Sequence, residues 1–300
     1  IERIDDPLMR SMIWTALFDA PANRQMDNGT LLETLIGSLP LESNDRIIRQ
    51  VMGELVGNLN LLERLGGEFL AELEEFGPIA EAQLWQLISD GVSPAGDGQT
   101  LSTLNLRLSS YIGIARSTEA LENLSGLLDG SVEIEGLELG QNQRWSIVQR
   151  FTARDYAGAR DLLAAELRRD PSDAGRRSAI AAESGLPDIA IKQQWVDRIL
   201  DTQAPLPLSN LRAAMGSIFP TGQEELQLSL LPRLTADLGE LAAGRDNYFQ
   251  ESYGTDLFSG VCSEAGLDIL SAAIVDPESI GATLYRFISE NVQQAEDCIA

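Results

Sequence analysis

The chain has 300 residues, with 22 Lys and Arg against 46 Asp and Glu, so its formal net charge is −24. A surface that acidic repels nucleic-acid phosphates and anionic lipid, which argues against both as partners. Histidine is absent, which removes His triads, His general bases and His-containing metal sites and leaves paired carboxylates as the common acid–base machinery.

Nearly every segment reads as a helix with recognisable ends. Asp6-Pro7 supplies an N-cap and a first-turn proline before Met9, Ile13, Trp14, Leu17 and Phe18. Thr30 is placed to cap a helix carrying Leu31, Leu32, Leu35 and Ile36, stopped by Pro40. From Asn44 the pairs Ile47-Ile48, Val51-Met52 and Leu55-Val56 recur every four residues. That double-width apolar stripe predicts a helix buried against two neighbours. Two helices are expected over 68–76 and 79–89, separated by Gly77-Pro78, and a loop over 90–100. Helices over 101–114 and 119–128 follow; the alternating segment 131–139 has no partner strand and reads as an extended connector.

Beyond the connector a helix is expected from Arg144-Trp145, with Trp145, Val148 and Phe151 on one side. Leu162, Leu163 and Leu167 mark the next, and Ser172 or Asp173 caps another that stops at Gly185. Stripes follow at Ile191, Trp195 and Ile199, and at Leu211, Ala214, Met215 and Ile218. Thr221 and Glu224 have capping-box spacing, and Asp276-Pro277 opens a last helix with Ile280, Leu284, Phe287 and Ile288. The class is therefore all-α. Helices in series with brief connections predict an irregular α-solenoid, a HEAT/armadillo-like superhelix of antiparallel helix pairs, although no fixed-period repeat is present.

No apolar run approaches the roughly 20 residues that span a bilayer. The chain begins without an initiator Met or a signal peptide, as a piece of a longer protein would. Cys262 and Cys298 are expected as buried free thiols rather than a bridge, compatible with a reducing, cytoplasmic setting. The single lysine, Lys192, has no mechanism attached to it.

Four strings, in register, carry a family resemblance: RSMIWTALFD at 10–19, GLELGQNQRWSIVQRF at 136–151, ELRRDPSDAGRRSAIAAES at 166–184 and LSNLRAAMGSIFPTGQEEL at 208–226. Together they resemble the C-terminal helical domain of the aminopeptidase N family, zinc gluzincin aminopeptidases related to the endoplasmic-reticulum and puromycin-sensitive enzymes, and bacterial members above all. The resemblance implies one elongated helical domain over 1–300, with a possible sub-division near 130–143. The chemistry would then lie upstream, in a catalytic domain of the same chain holding zinc through His-Glu-x-x-His and a further Glu. This part would have no catalytic residue, no metal and no cofactor of its own. It would close the peptide chamber and help to hold or size-select the peptide.

A peptide's C-terminal carboxylate needs a cation, and Arg107, Arg144 and Arg212 lie on predicted helices among apolar neighbours. They are the candidate substrate-binding residues, because a guanidinium pairs a carboxylate through two parallel hydrogen bonds. Tyr111, Tyr248, Phe249 and Tyr253 read as core by their spacing, and Glu72, Glu74 and Glu75 as a solvated face. Expected partners are the upstream catalytic domain and peptide substrates, with self-association also open. A free-standing α-solenoid interaction scaffold fits the same periodicity. An α/α-barrel glycoside hydrolase using two carboxylates is a further class, against which the 6% aromatic content and four Trp argue, since such sites stack sugars on aromatic rings.

Overall fold

The computed structural model describes residues 1, 4–92, 99–203 and 206–300. Its described residues form α-helices, short 3₁₀ and turn segments and no strand, so the chain is all-α. It divides into two compact units, Ile1–Ile147 and Val148–Ala300.

The first unit contains α1 (Pro7–Phe18), α2 (Asn28–Ser38), α3 (Asp45–Leu65), α4 (Leu70–Ser89), α5 (Leu101–Ile114), α6 (Thr118–Asp129) and the start of α7 (Gln141–Ala153). Its packing alternates. α1 lies against α3 and α3 against α5; α2 lies against α4 and α4 against α6; α3 bridges to α2 and α4, and α4 also to α5. Odd and even helices thus make two stacked rows. The wide stripe of α3 explains its central place: Ile47, Ile48, Val51, Met52, Leu55, Leu59 and Leu62 are all buried, each contributing about 1.5–3 kcal/mol of apolar transfer. Asn44 starts that helix, its side chain accepting from the amides of Arg46 and Ile47. The buried Glu81 of α4 joins the even row by accepting from the amides of Arg116 (2.7 Å) and Ser117 (3.2 Å) at the start of α6.

In the second unit come α8 (Ala159–Arg169), α9 (Asp173–Ser184), α10 (Ile189–Leu200), α11 (Leu208–Met215), α12 (Glu224–Leu234), α13 (Leu238–Gly244), α14 (Asn247–Asp256), α15 (Glu264–Ala273), α16 (Pro277–Ile280) and α17 (Ala282–Ile299). Again there are two series of neighbours, α9–α11–α14–α17 and α10–α12–α15, with α9–α10, α10–α11 and α15–α17 joining them. Trp195, Leu211, Met215, Phe249, Tyr253 and Leu284 lie in the shared core.

Several local expectations change. α4 runs straight through Gly77-Pro78 as one helix; Pro78 sits on an exposed position while Gly77 is buried, so the lost hydrogen bond and the ring clash fall on the solvent side. The cap of α2 is Asp27, which accepts from Thr30, and not Thr30 itself. Thr221 makes no capping box: α12 starts after Gln223, whose buried amide instead donates to the carbonyls of Ala153 (3.0 Å) and Gly185 (2.8 Å). α7 begins at Gln141, a turn before Arg144. Gly281, at φ +77°, separates α16 from α17 where one helix is expected. Of the loop expected at 90–100, residues 93–98 lie outside the described residues.

The thiols are the largest correction. Cys262 and Cys298 form a disulfide, with Cα atoms 5.5 Å apart across 36 residues. Cys262 stands just before α15 and Cys298 in the last turn of α17; packing of those two helices brings together side chains that look unrelated in sequence.

Candidate functional site

The three candidate arginines occupy three different environments. Arg107 is buried on α5. Its Nη1 donates to Gln99 Oε1 (2.7 Å) and its Nη2 to the carbonyl of Leu39 (3.2 Å), the C-cap of α2. Burial pushes its guanidinium below the usual arginine value, with Asp90 and Asp45 acting the other way. This geometry clamps α2 to α5.

Arg144 is half-buried in the first turn of α7 and donates to the Leu128 carbonyl at the end of α6, at 3.0 Å. Beside it, Leu101 and Asn105 of α5, the connector 136–138 and residues 140–143 line an open groove of about 860 Å³. Its walls are rich in amides. Gln143 donates to Asn105 Oδ1 and accepts from the Gly140 amide, both at 2.8 Å, so its side chain is fixed from two sides. Glu138 is the one charged residue among those walls. A neutral amide surface can donate to and accept from peptide groups alike. The run Gly140-Gln141-Asn142-Gln143 was the visible signal for this groove, but nothing in its spacing pointed to Asn105.

Arg212 is the exposed member, on α11 in the second unit. It acts electrostatically on Asp256 of α14, opposing the burial that raises that carboxyl above its usual range. Asn210, two residues earlier, lines a cleft of about 430 Å³ with Ile180, Glu183, Trp195, Arg198 and Asp201. Within it the Arg198 guanidinium lies over the Trp195 ring, 4.6 Å from its centroid. Arg107 and Arg212 therefore stand in separate units. Arg107 and Arg144, although both in the first, are engaged with different helix ends.

The other marked residues divide. Tyr111, Phe249 and Tyr253 are buried, as their spacing predicts, while Tyr248 is 69% exposed. Glu74 and Glu75 are exposed, and Glu72 accepts from Asn28 at 3.1 Å. Glu81 and Glu166 are the fully buried carboxylates among the described residues. They lie in different units, Glu81 on the start of α6 and Glu166 on Arg169 (2.9 Å), so among the described residues neither unit holds two buried carboxylates facing one another.

Over residues 1–297 the chain matches the ERAP1-like C-terminal domain family. It belongs to that family. It is also similar to Aminopeptidase N of Streptomyces lividans, at 31% identity over 183 residues, which cover 61% of this chain and 21% of that protein. The matched segment thus spans about a fifth of the relative's length. As an aminopeptidase N-type C-terminal domain, the chain offers among its described residues a donor set that does not fit zinc. It has no histidine, both cysteines are joined in the disulfide, and the described residues contain no group of three or more Asp, Glu or Cys placed to hold a metal. No helix among the described residues is long and apolar enough to cross a membrane.

Proposed function

We propose that this chain is the non-catalytic C-terminal module of a zinc metallo-aminopeptidase that removes N-terminal residues from peptides. The module would enclose the active-site chamber and help to hold or size-select the peptide. The family match over residues 1–297 carries this reading. It is supported by a helical body whose donor set does not suit zinc and whose buried carboxylates are spent on helix ends and an ion pair. Enclosure contributes to catalysis by excluding water and restricting the substrate near a metal held elsewhere in the polypeptide.

Of the three arginines, Arg212 is the one whose exposure suits a peptide carboxylate, and the amide groove beside Arg144 suits peptide backbone. Arg107 would act at a distance, by holding α5 in place. Zinc and the catalytic residues belong to the upstream domain, which is the principal partner. The isolated chain should release no product from aminoacyl-anilides and bind no stoichiometric zinc. The full-length enzyme should hydrolyse them, and deleting this module should flatten its dependence on peptide length. Robust hydrolysis by the isolated chain would end the proposal.

The disulfide bears on the compartment. A cytoplasmic enzyme would keep these thiols reduced, whereas the Cys262–Cys298 bond favours an oxidising setting. Thiol trapping at the moment of lysis distinguishes the two. A free-standing interaction scaffold is the second reading; the paired rows of helices are compatible with it, and a gene lacking a His-Glu-x-x-His segment before Ile1 would select it.

A further inference from the structure

In a row of stacked helices each member buries one side against the helix before it and one against the helix after it. The outermost member has a side with no neighbour, and a polar outer face keeps such an end soluble. α17, the last helix, follows that rule: it exposes no large apolar side chain, and its exposed positions include Arg286, Glu290, Gln293 and Glu296. α1 does the opposite. It packs on α3, the next member of its row, yet Leu8, Met9 and Met12 are 68%, 52% and 66% exposed. At 100° per residue these three share a face roughly opposite Trp14, the buried anchor of the helix. Leu41, 56% exposed, and Ile1 add apolar surface where, with Arg10 and Trp14, they line a cavity of about 350 Å³ at this end of the first unit.

We infer that the outer face of α1 is an interface, covered in the full-length polypeptide by the segment immediately preceding Ile1. This rests on the proposed function only in requiring that more chain comes before Ile1. The occupant follows from three observations. α1 ends its row with an apolar rather than a polar side, so the stack is unfinished there. Ile1 itself lines the adjoining cavity, so a preceding segment would be tethered beside the bare face at high effective concentration. The family is a C-terminal domain, and the Streptomyces lividans relative has about four fifths of its length outside the matched stretch.

The methionines are built-in reporters. Met9 and Met12 are exposed, whereas Met52 and Met215 are each 1% exposed and serve as folding controls. Mild peroxide treatment followed by peptide mass spectrometry should oxidise Met9 and Met12 of the 300-residue chain roughly tenfold faster than Met52 and Met215. In the full-length protein their rates should fall to those of the buried pair. Unchanged rates for Met9 and Met12 in the full-length protein overturn the inference. So does concentration-dependent protection in the 300-residue chain with a dimer mass, since a second copy would then be the occupant, or a gene that starts at this helix. A Met9→Glu, Met12→Glu variant should leave the 300-residue chain's melting unchanged while exposing the junction of the full-length protein to limited proteolysis. Assaying peptidase activity on the same full-length sample separates the two ideas: protection without activity defeats the function and keeps the interface, and activity without protection does the reverse.

Discussion

The ammonium of Lys192, the chain's single lysine, donates to the carbonyl of Ser184 at 2.8 Å and to that of Ile218. Ser184 is the last residue of α9 and Ile218 follows α11, so one cation on α10 satisfies carbonyls at the ends of two helices. Those ends carry partial negative charge, which suits a cation. Burial without a carboxylate partner nevertheless dominates, and pushes the Lys192 pKa down to about 7. Between about pH 7 and the unfolded value of 10.5, the unfolded chain holds a proton that the folded chain lacks. Stability must therefore rise with pH across that window. Buried Tyr111 and Tyr253, whose phenols are raised by desolvation, reverse the trend above their ordinary value of 10.0. Urea midpoints should increase from pH 7 to 9.5. Lys192→Met should lose most of that slope, and at pH 9 should be less stable by about 1–3 kcal/mol because two carbonyls lose their donor. A flat wild-type profile would contradict the assignment.

The disulfide should be worth about 4 kcal/mol by loop-closure entropy for its 36-residue separation. Urea unfolding of Cys262→Ser, Cys298→Ser, or of the wild type with reductant, should show that loss. Circular dichroism should remain native, because α17 keeps Leu284, Ile288 and Ala295 buried without the bridge.

Two glycines should respond in opposite directions. A Cβ on Gly175 would stand 2.1 Å from the Asp170 carbonyl oxygen and 2.6 Å from its carboxyl group, at the capped start of α9. Gly175→Ala should destabilise the second unit by several kcal/mol, about 3 or more, since backbone must move. A Cβ on Gly53, exposed in mid-α3, meets nothing within 4 Å; Gly53→Ala should stabilise by about 0.5–1 kcal/mol. Thermal melts of the two variants decide both.

Gln223 is 5% exposed, with its amide donating to the carbonyls of Ala153 and Gly185. Gln223→Leu should cost about 2–3 kcal/mol, because both carbonyls lose a buried donor. Gln223→Glu should be worse at pH 8 than at pH 4, since an ionised carboxylate would then face two carbonyl oxygens. Equal stability of the Glu variant at the two pH values, each measured against wild type, would count against this bridge.

Arg107 and Arg212 separate a structural from a substrate role. Arg107→Met should lower the melting temperature, because it removes the buried clamp on Leu39 and Gln99. Arg212→Ala, at an exposed position, should leave melting within about 0.5 kcal/mol of wild type. In the full-length enzyme it should raise KM for long peptides roughly fivefold or more without affecting aminoacyl-anilides, as expected for a lost carboxylate contact. If both substrate classes respond alike, Arg212 does not read the distal end of the peptide.

The helices themselves were legible in the residues. Period and caps placed most of them, because an amphipathic stripe and its end signals are local in sequence: Asp6-Pro7, Asn44 and Ser172 each start the helix they were expected to start. The family was legible too, through four strings in order. What failed was what depends on a second segment. Pro78 gives up one helical hydrogen bond and crowds the carbonyl a turn earlier wherever it sits; its exposed position leaves that carbonyl to water, and α4 continues through it. The capping box expected of Thr221 and Glu224 did not form, the neighbouring Gln223 reached two distant carbonyls, and Arg107 turned inward to the end of α2. Cys262 and Cys298 paired because α15 lies on α17. Local periodicity determines which face of a helix is apolar; only the packed neighbours determine what each polar atom on its margin can reach.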